Sequence, residues 1–225
     1  MKTALVIGAT GLTGSFLLNF LLEDARFSKI KVFTRRKTGI SDNKLEEYLI
    51  DFDNPETVCD ILKGDVLFST LGTTIRKAGS KEAQYMIDCT YQYKIAEICA
   101  RNNTGTYVLL SSAGANPSSK IFYSKMKGEL DRDVQKLPFQ NIRILKPGIL
   151  EGERSEHRTG EKVMINLSKI ISKLPGLKKL RPIHVRTVAR AMINSCFDET
   201  KGIKIYTMEE IFLLSNDKPL MNIKN

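Results

Sequence analysis

Three glycines, Gly8, Gly11 and Gly14, follow the first apolar run of the chain and constrain what can surround them. Ahead of them Ala4–Ile7 has strand length. Behind them Leu12, Phe16, Leu17, Phe20 and Leu21 recur at helical spacing. A strand that turns this sharply into a helix needs three positions without a side chain. One permits the bend, one lets backbone approach a pyrophosphate, and one lets the helix pack close to the strand. The helix start then offers unpaired N–H groups to an anion. The segment Gly8-Ala9-Thr10-Gly11-Leu12-Thr13-Gly14, with a second strand about twenty residues on, predicts a dinucleotide site. Residues 1–22 also mimic a signal peptide, with Lys2, an apolar stretch and no acid before Glu23. The glycine spacing assigns them to the fold instead.

The rest of the chain repeats the alternation. Ile30–Thr34, Tyr48–Ile50, Val66–Thr70, Thr106–Leu110, Ile142–Leu145 and Ile203–Tyr206 read as near-continuous apolar strands. Helical patterns cover about 82–102, 118–136 and 185–196. In 225 residues this predicts one α/β domain, 1–225: a Rossmann-like, doubly wound parallel sheet of about seven strands. The rhythm changes at Pro147-Gly148. Residues 151–161 read as a polar loop, and Val163, Met164, Leu167, Ile170, Ile171 and Leu174 form an apolar helical stripe. Residues 147–197 are thus expected to be substrate-side loops and helices over the sheet end.

The second strand ends in Thr34-Arg35-Arg36-Lys37, where an acidic residue would bind the ribose 2′-OH of NAD. Two guanidinium groups there suit a 2′-phosphate, so the cofactor expected is NADP(H). Asp51-Phe52 ends the third strand, where an Asp can accept the adenine amino group; a surface Asp beside a core Phe is the alternative. Leu71-Gly72-Thr73 ends the fourth strand, on the edge where ligands of such sheets bind.

Ser111-Ser112 end the fifth strand on the same edge. Tyr123 and Lys127 follow, one turn apart on one helix face. An ammonium and an oxidised nicotinamide nearby favour a phenolate, so Tyr123 can exchange a proton with a carbonyl or hydroxyl as hydride moves. Lys127 would also hold the nicotinamide ribose. Ser112, or else Ser111, would hydrogen-bond the substrate oxygen.

The GATGLTG turn, the Ser/Tyr/Lys set and Lys146-Pro147-Gly148 resemble the atypical short-chain dehydrogenase/reductases. Thr34 through Lys37, Asp51-Phe52, Leu71 through Thr74, Lys77-Ala78-Gly79, Asp88 with Tyr91, Ser111 through Ala115 and Tyr123 through Glu129 are more closely similar to the Tat-interacting-protein (HTATIP2-like) family. The resemblance implies an NADPH-binding fold with Tyr123 as proton donor and acceptor. It further implies that Pro147, Leu150 and Arg158 touch the cofactor. The chain departs from the pattern at Lys146, where the family often has Arg. No Asn clearly fills the fourth catalytic place of the larger superfamily, and Asp88 is the nearest polar residue on the preceding helix. Members of this group include NADPH-binding regulators.

Four scattered cysteines and two histidines exclude a Cys/His zinc site and fit free thiols in a reducing compartment. No metal is expected, and the protein is expected to be cytoplasmic, a monomer or a homodimer. The net charge is +10, and eight basic residues with no acidic one lie between Lys162 and Phe197. That segment has no aromatic residue between Lys162 and Cys196 to stack bases, so nucleic acid is not the expected partner. Weak binding of 162–190 to an anionic surface stays open, without membrane insertion. The function expected is an NADP(H)-dependent oxidoreductase acting on a small carbonyl or alcohol. The alternative is an NADP(H)-binding regulatory sensor with little turnover.

Overall fold

The computed structural model describes residues 1–152 and 181–216. Its main sheet contains β1 (Lys2–Ile7), β2 (Phe27–Thr34), β3 (Leu45–Leu49), β4 (Val66–Ser69), β5 (Thr106–Leu110), β6 (Asn141–Leu145) and β9 (Gly202–Tyr206). The order is β3-β2-β1-β4-β5-β6-β9, and every pairing is parallel. A separate two-stranded parallel sheet joins β7 (Ile149–Glu151) to β8 (Pro182–His184).

Parallel strands need crossover segments, and these cover both faces. Side-chain alternation divides β1 accordingly. Ala4 and Val6 enter the core of one face, with α1 (Leu12–Glu23) and α6 (Val185–Ser195). Leu5 and Ile7 enter the opposite core, with α4 (Tyr91–Arg101) and α5 (Phe122–Val134). Leu17, Leu18 and Leu21 of α1 are fully buried or nearly so, each worth about 1.5–3 kcal/mol of transfer from water. Residues 2–23 therefore form a strand and a helix of the core.

Several expectations shift. The helix at 82–102 is composite: α3 (Lys81–Tyr85) runs through a π-turn at Met86–Thr90 into α4. The helix expected from 118 begins at Phe122. The Asn116 and Ser119 side chains accept the Ser118 and Ile121 amides, and such local turns compete with helix. Short α2 (Ile75–Ala78) and C-terminal α7 (Met208–Ser215) add to the pattern. The helix at 185–195 does form, but as α6 it packs on the sheet beside α1 rather than over the sheet end. The apolar stripe at 163–174 and Arg158 lie outside the described residues.

In the basic stretch, the three described arginines lie over aromatic rings. Arg186 and Arg190 lie over the Phe20 ring, and Arg181 lies over Phe212. All four thiols are free, with Cys89, Cys99 and Cys196 buried.

Candidate active site

The strand order reverses between β1 and β4, and in such sheets the crevice at that reversal is where ligands bind. There the chain leaves β1 through Gly8, whose φ of +85° suits glycine. A Cβ on Gly8 would stand 2.6 Å from the Leu71 nitrogen of the facing loop. A Cβ on Gly14 would strike the Gly8 carbonyl oxygen, so α1 can close on the turn only without one. Gly11 caps α1, with no side-chain cap and no acid in the first turn. An anion near the N-terminal amides of α1 would meet no competing carboxylate from that turn.

A cavity of about 500 Å³ opens over this junction. Its wall includes Thr10, Gly11, Leu12 and Thr13 of the glycine turn, Arg36 after β2, and Leu71, Gly72 and Thr73 after β4. Tyr123 and Lys127 of α5 and Leu150 of β7 complete the part of the wall expected from sequence. Arg36 sits on a turn fixed by Thr34, whose Oγ1 donates to the Arg36 carbonyl at 2.9 Å. Leu150 is held there by the small sheet, paired with Ile183. The glycine cradle, the free helix start and a cation on the wall fit a dinucleotide.

Other expected residues stand elsewhere. Gly8 and Gly14 lie beneath the wall as packing positions. Arg35, Asp51, Phe52, Ser112 and Pro147 are not on it. Asp51 accepts the Asp53 amide at 2.9 Å and Asn54 Nδ2 at 2.7 Å, which hold its carboxyl below the usual range. Phe52 is buried against Tyr91. Of the two serines, Ser111 is the one on the wall. The Pro147 carbonyl accepts the Ala113 amide at 2.8 Å and ties the loops after β5 and β6 together.

The structure brings further residues to the site. Asp88, Lys77 and Thr74 join the wall. Asp88 is 1% exposed, accepts the Thr73 amide at 2.7 Å, and lies 3.9 Å from Lys127 Nζ. Burial raises the Asp88 carboxyl, against the pull of Lys127 and the Thr73 amide. Along α5, Tyr123, Lys127 and Asp131 share one face, four residues apart. Asp131 is buried and pairs with Lys146 Nζ at 2.8 Å, which gives the lysine before Pro147 a partner. Burial raises the Asp131 carboxyl too, opposed by Lys146, Ser111 and Lys127. Gly128 lets the Asn116-Pro117 backbone lie against α5, where a Cβ would collide with it. The Asn116 amide donates to the Ser124 carbonyl at 2.9 Å, fastening that loop to the turn carrying Tyr123. The glycine following Lys127 was the one sequence signal for this contact.

Comparison with known proteins agrees with this geometry. The model of the NAD dependent epimerase/dehydratase family matches residues 4–193. The protein HTATIP2 of Rattus norvegicus is 34% identical, with 89% of this chain and 84% of that protein covered. "Protein FMP52, mitochondrial" of Coccidioides immitis is 32% identical, covering 96% and 94%. Its counterpart in Saccharomyces cerevisiae is 38% identical over 68% of each chain. The cytoplasmic expectation is overturned by the FMP52 relatives, whose names place them in mitochondria. That expectation leaned on scattered free thiols and on the glycine turn that assigns residues 1–22 to the fold, and neither feature records a compartment. Among solved structures, MoeE5 in complex with UDP-glucose and NAD superposes with a TM-score of 0.67 at 16% identity, over 95% of this chain and 80% of that one. The UDP-glucose 4-epimerase of Thermotoga maritima gives 0.67 at 13%, over 95% and 81%. Both likenesses show the fold. The glycine turn, the switch-point cavity and the matches along most of the chain make this protein a member of the NAD dependent epimerase/dehydratase family, within its HTATIP2-like, atypical short-chain dehydrogenase/reductase group.

Proposed function

We propose that the chain is an NADP(H)-dependent oxidoreductase that moves a hydride between the nicotinamide and a small carbonyl or alcohol. The observation that carries this is one cavity lined at once by the glycine turn, by Arg36, and by the Tyr123/Lys127 pair with Ser111. Backbone amides at Leu12 and Thr13 hold the pyrophosphate, while the Gly11 amide closes the turn on the Gly8 carbonyl at 2.9 Å. The Arg36 guanidinium, with Arg35 beside it in sequence, favours a 2′-phosphate over a bare ribose hydroxyl. Leu71, Gly72, Thr73 and Leu150 line the path toward the nicotinamide. Bound NADP(H) supplies or accepts the hydride. Tyr123 gives its phenolic proton to the carbonyl oxygen on reduction and takes it back on oxidation. Lys127 favours the phenolate electrostatically and hydrogen-bonds ribose hydroxyls. The Ser111 or Ser112 hydroxyl orients the substrate oxygen.

Cofactor fluorescence tests the first half, and the chain's lack of Trp keeps that signal clean. NADPH should bind at least tenfold more tightly than NADH, and Arg36→Ala should weaken NADPH by about tenfold while leaving NADH nearly unchanged. Equal affinity for the two cofactors refutes the assignment. A carbonyl panel tests the second half: NADPH oxidation that is equal in wild type and Tyr123→Phe removes the catalytic role. Partners that change with NADPH but not with Tyr123→Phe would instead identify a sensor.

A further inference from the structure

Asp88 is a buried carboxylate on the cavity wall, and its setting is built rather than incidental. It sits in the π-turn Met86–Thr90, a local geometry often found at functional sites. That turn is pinned from the sheet. Gln92 is fully buried, its Nε2 donates to the Asp88 carbonyl at 2.5 Å, and its Oε1 accepts from Ser69 Oγ of β4 at 2.6 Å. The carboxylate works in two directions. Oδ1 accepts the Thr73 amide at 2.7 Å, while Oδ2 faces Lys127 Nζ at 3.9 Å. Thr73 is also held from its other end, where Gln84 Nε2 donates to its carbonyl at 3.2 Å.

We propose that Asp88 is the positioning residue of this site: its carboxylate supplies the counter-charge that keeps Lys127 a buried ammonium, and it locks the Thr73 wall of the cavity to the helix that carries Tyr123 and Lys127. The inference rests on the roles given above to Tyr123 and Lys127. Burying a cation without a counter-charge is expensive, and an ammonium so placed sheds its proton. At 3.9 Å the pair is in charge contact but beyond hydrogen-bond length, so Asp88 sets the charge of Lys127 without tying up its donors. The other titratable groups around Lys127 are Tyr123 and Asp131 on the neighbouring turns of α5 and Cys89 on the π-turn. Asp131 is paired with Lys146 at 2.8 Å and acts on Lys127 only from farther off, so among the described residues Asp88 is the carboxylate in ion-pair contact with Lys127.

The test uses the full cofactor-free chain and NMR. The Lys127 ε-carbon resonance, assigned with Lys127→Arg, reports the ammonium directly, and the Thr73 amide reports the second contact. Asp88→Asn keeps an acceptor oxygen but removes the charge. In that variant the Lys127 signal should convert to the amine form at a proton concentration at least tenfold higher than in wild type, with Thr73 amide exchange within about threefold. Asp88→Ala should do the same to Lys127 and also speed Thr73 exchange at least tenfold. Wild type alone provides an arm that needs no variant: the Asp88 carboxyl-carbon and Lys127 ε-carbon signals should share a pH step. A Lys127 signal within threefold of wild type in Asp88→Asn, or the absence of a shared step, overturns the proposal. Failure of the oxidoreductase reading shows separately, as lost NADPH preference or an unaffected Tyr123→Phe.

Discussion

Arg143, at the β6–β9 edge, and Lys127, on the cavity wall, are both cations with 4% or less of their surface exposed. Arg143 is surrounded by acceptors. Its guanidinium donates to the carbonyls of Gly202 at 2.7 Å, Asp198 at 3.0 Å, Ser195 and Ile142 at 3.3 Å, and Thr200. The planar five-donor fork is spent on stitching the end of α6 to the loop that enters β9. Among the described residues Lys127 instead makes its ion pair with Asp88, at a distance too long for a hydrogen bond. A buried cation saturated with fixed acceptors has only a structural use. One held by charge alone keeps donors for a ligand.

The sharpest way to break this contrast is Arg143→Met. It strands the carbonyls that the guanidinium serves, so a stability loss of about 3–5 kcal/mol is expected in urea unfolding. The folded fraction should keep its NADPH affinity. A loss under about 1 kcal/mol would mean that the carbonyls find water, and the structural reading of Arg143 would fall.

Tyr123→Phe should show the opposite profile. Proton transfer by a positioned side chain is worth about 100-fold or more in turnover. Tyr123 is 43% exposed, so its hydroxyl should contribute within about 0.5 kcal/mol of stability. A large stability change would make Tyr123 a packing residue.

Gly128→Ala probes the seam between the two roles. The added methyl must displace the Asn116-Pro117 backbone, and overpacking of this kind costs about 1–3 kcal/mol. Because that loop is fastened to the turn carrying Tyr123, NADPH turnover should fall as well. Unchanged melting would show that the loop is free to move aside.

The smallest effect concerns the acid limb. Burial alone would raise the Asp198 carboxyl, but Lys204, Thr200 and Tyr206 bond its oxygens and hold it well below the usual carboxylate range. A carboxyl depressed on folding stabilises above its unfolded value, near 3.9, and that contribution is lost as pH falls toward the folded value. Wild type should therefore exceed Asp198→Asn in stability at pH 6, by about 1 kcal/mol or less given partial exposure of the Lys204–Asp198 pair. The gap should close below about pH 4. A gap that widens in acid would reverse the sign assigned to Asp198.

Much of this protein is local, and local patterns are legible in sequence. The glycine triplet is legible because the positive φ at Gly8 and the contact of Gly14 with the Gly8 carbonyl lie within residues 8–14, although the loop at Thr70-Leu71 crowds the same turn. The one-turn spacing of Tyr123 and Lys127 follows from helix geometry alone. The apolar strand runs predict the parallel sheet for the same reason, since both faces of each strand must be covered. The edge strand β3 was only partly legible, because Leu45-Glu46-Glu47-Tyr48-Leu49 is half-polar and carries a weaker signal.

What sequence could not decide were contacts closed across the fold. Whether Ser111 or Ser112 meets the cavity depends on how β5 ends against β6, where the Ser111 amide donates to the Leu145 carbonyl. Whether 185–195 roofs the substrate or walls the sheet depends on which apolar face finds α1. Asp88 reads in sequence as one acid on a helix. It gains a role only when the π-turn, pinned by Gln92 and Ser69, brings it to Thr73 and Lys127. By itself the sequence determined most strands of the main sheet and the glycine turn, because backbone sterics and side-chain period act over a few residues. The tertiary structure alone decided which buried charges meet, because a counter-charge is fixed by distance in space rather than by spacing along the chain.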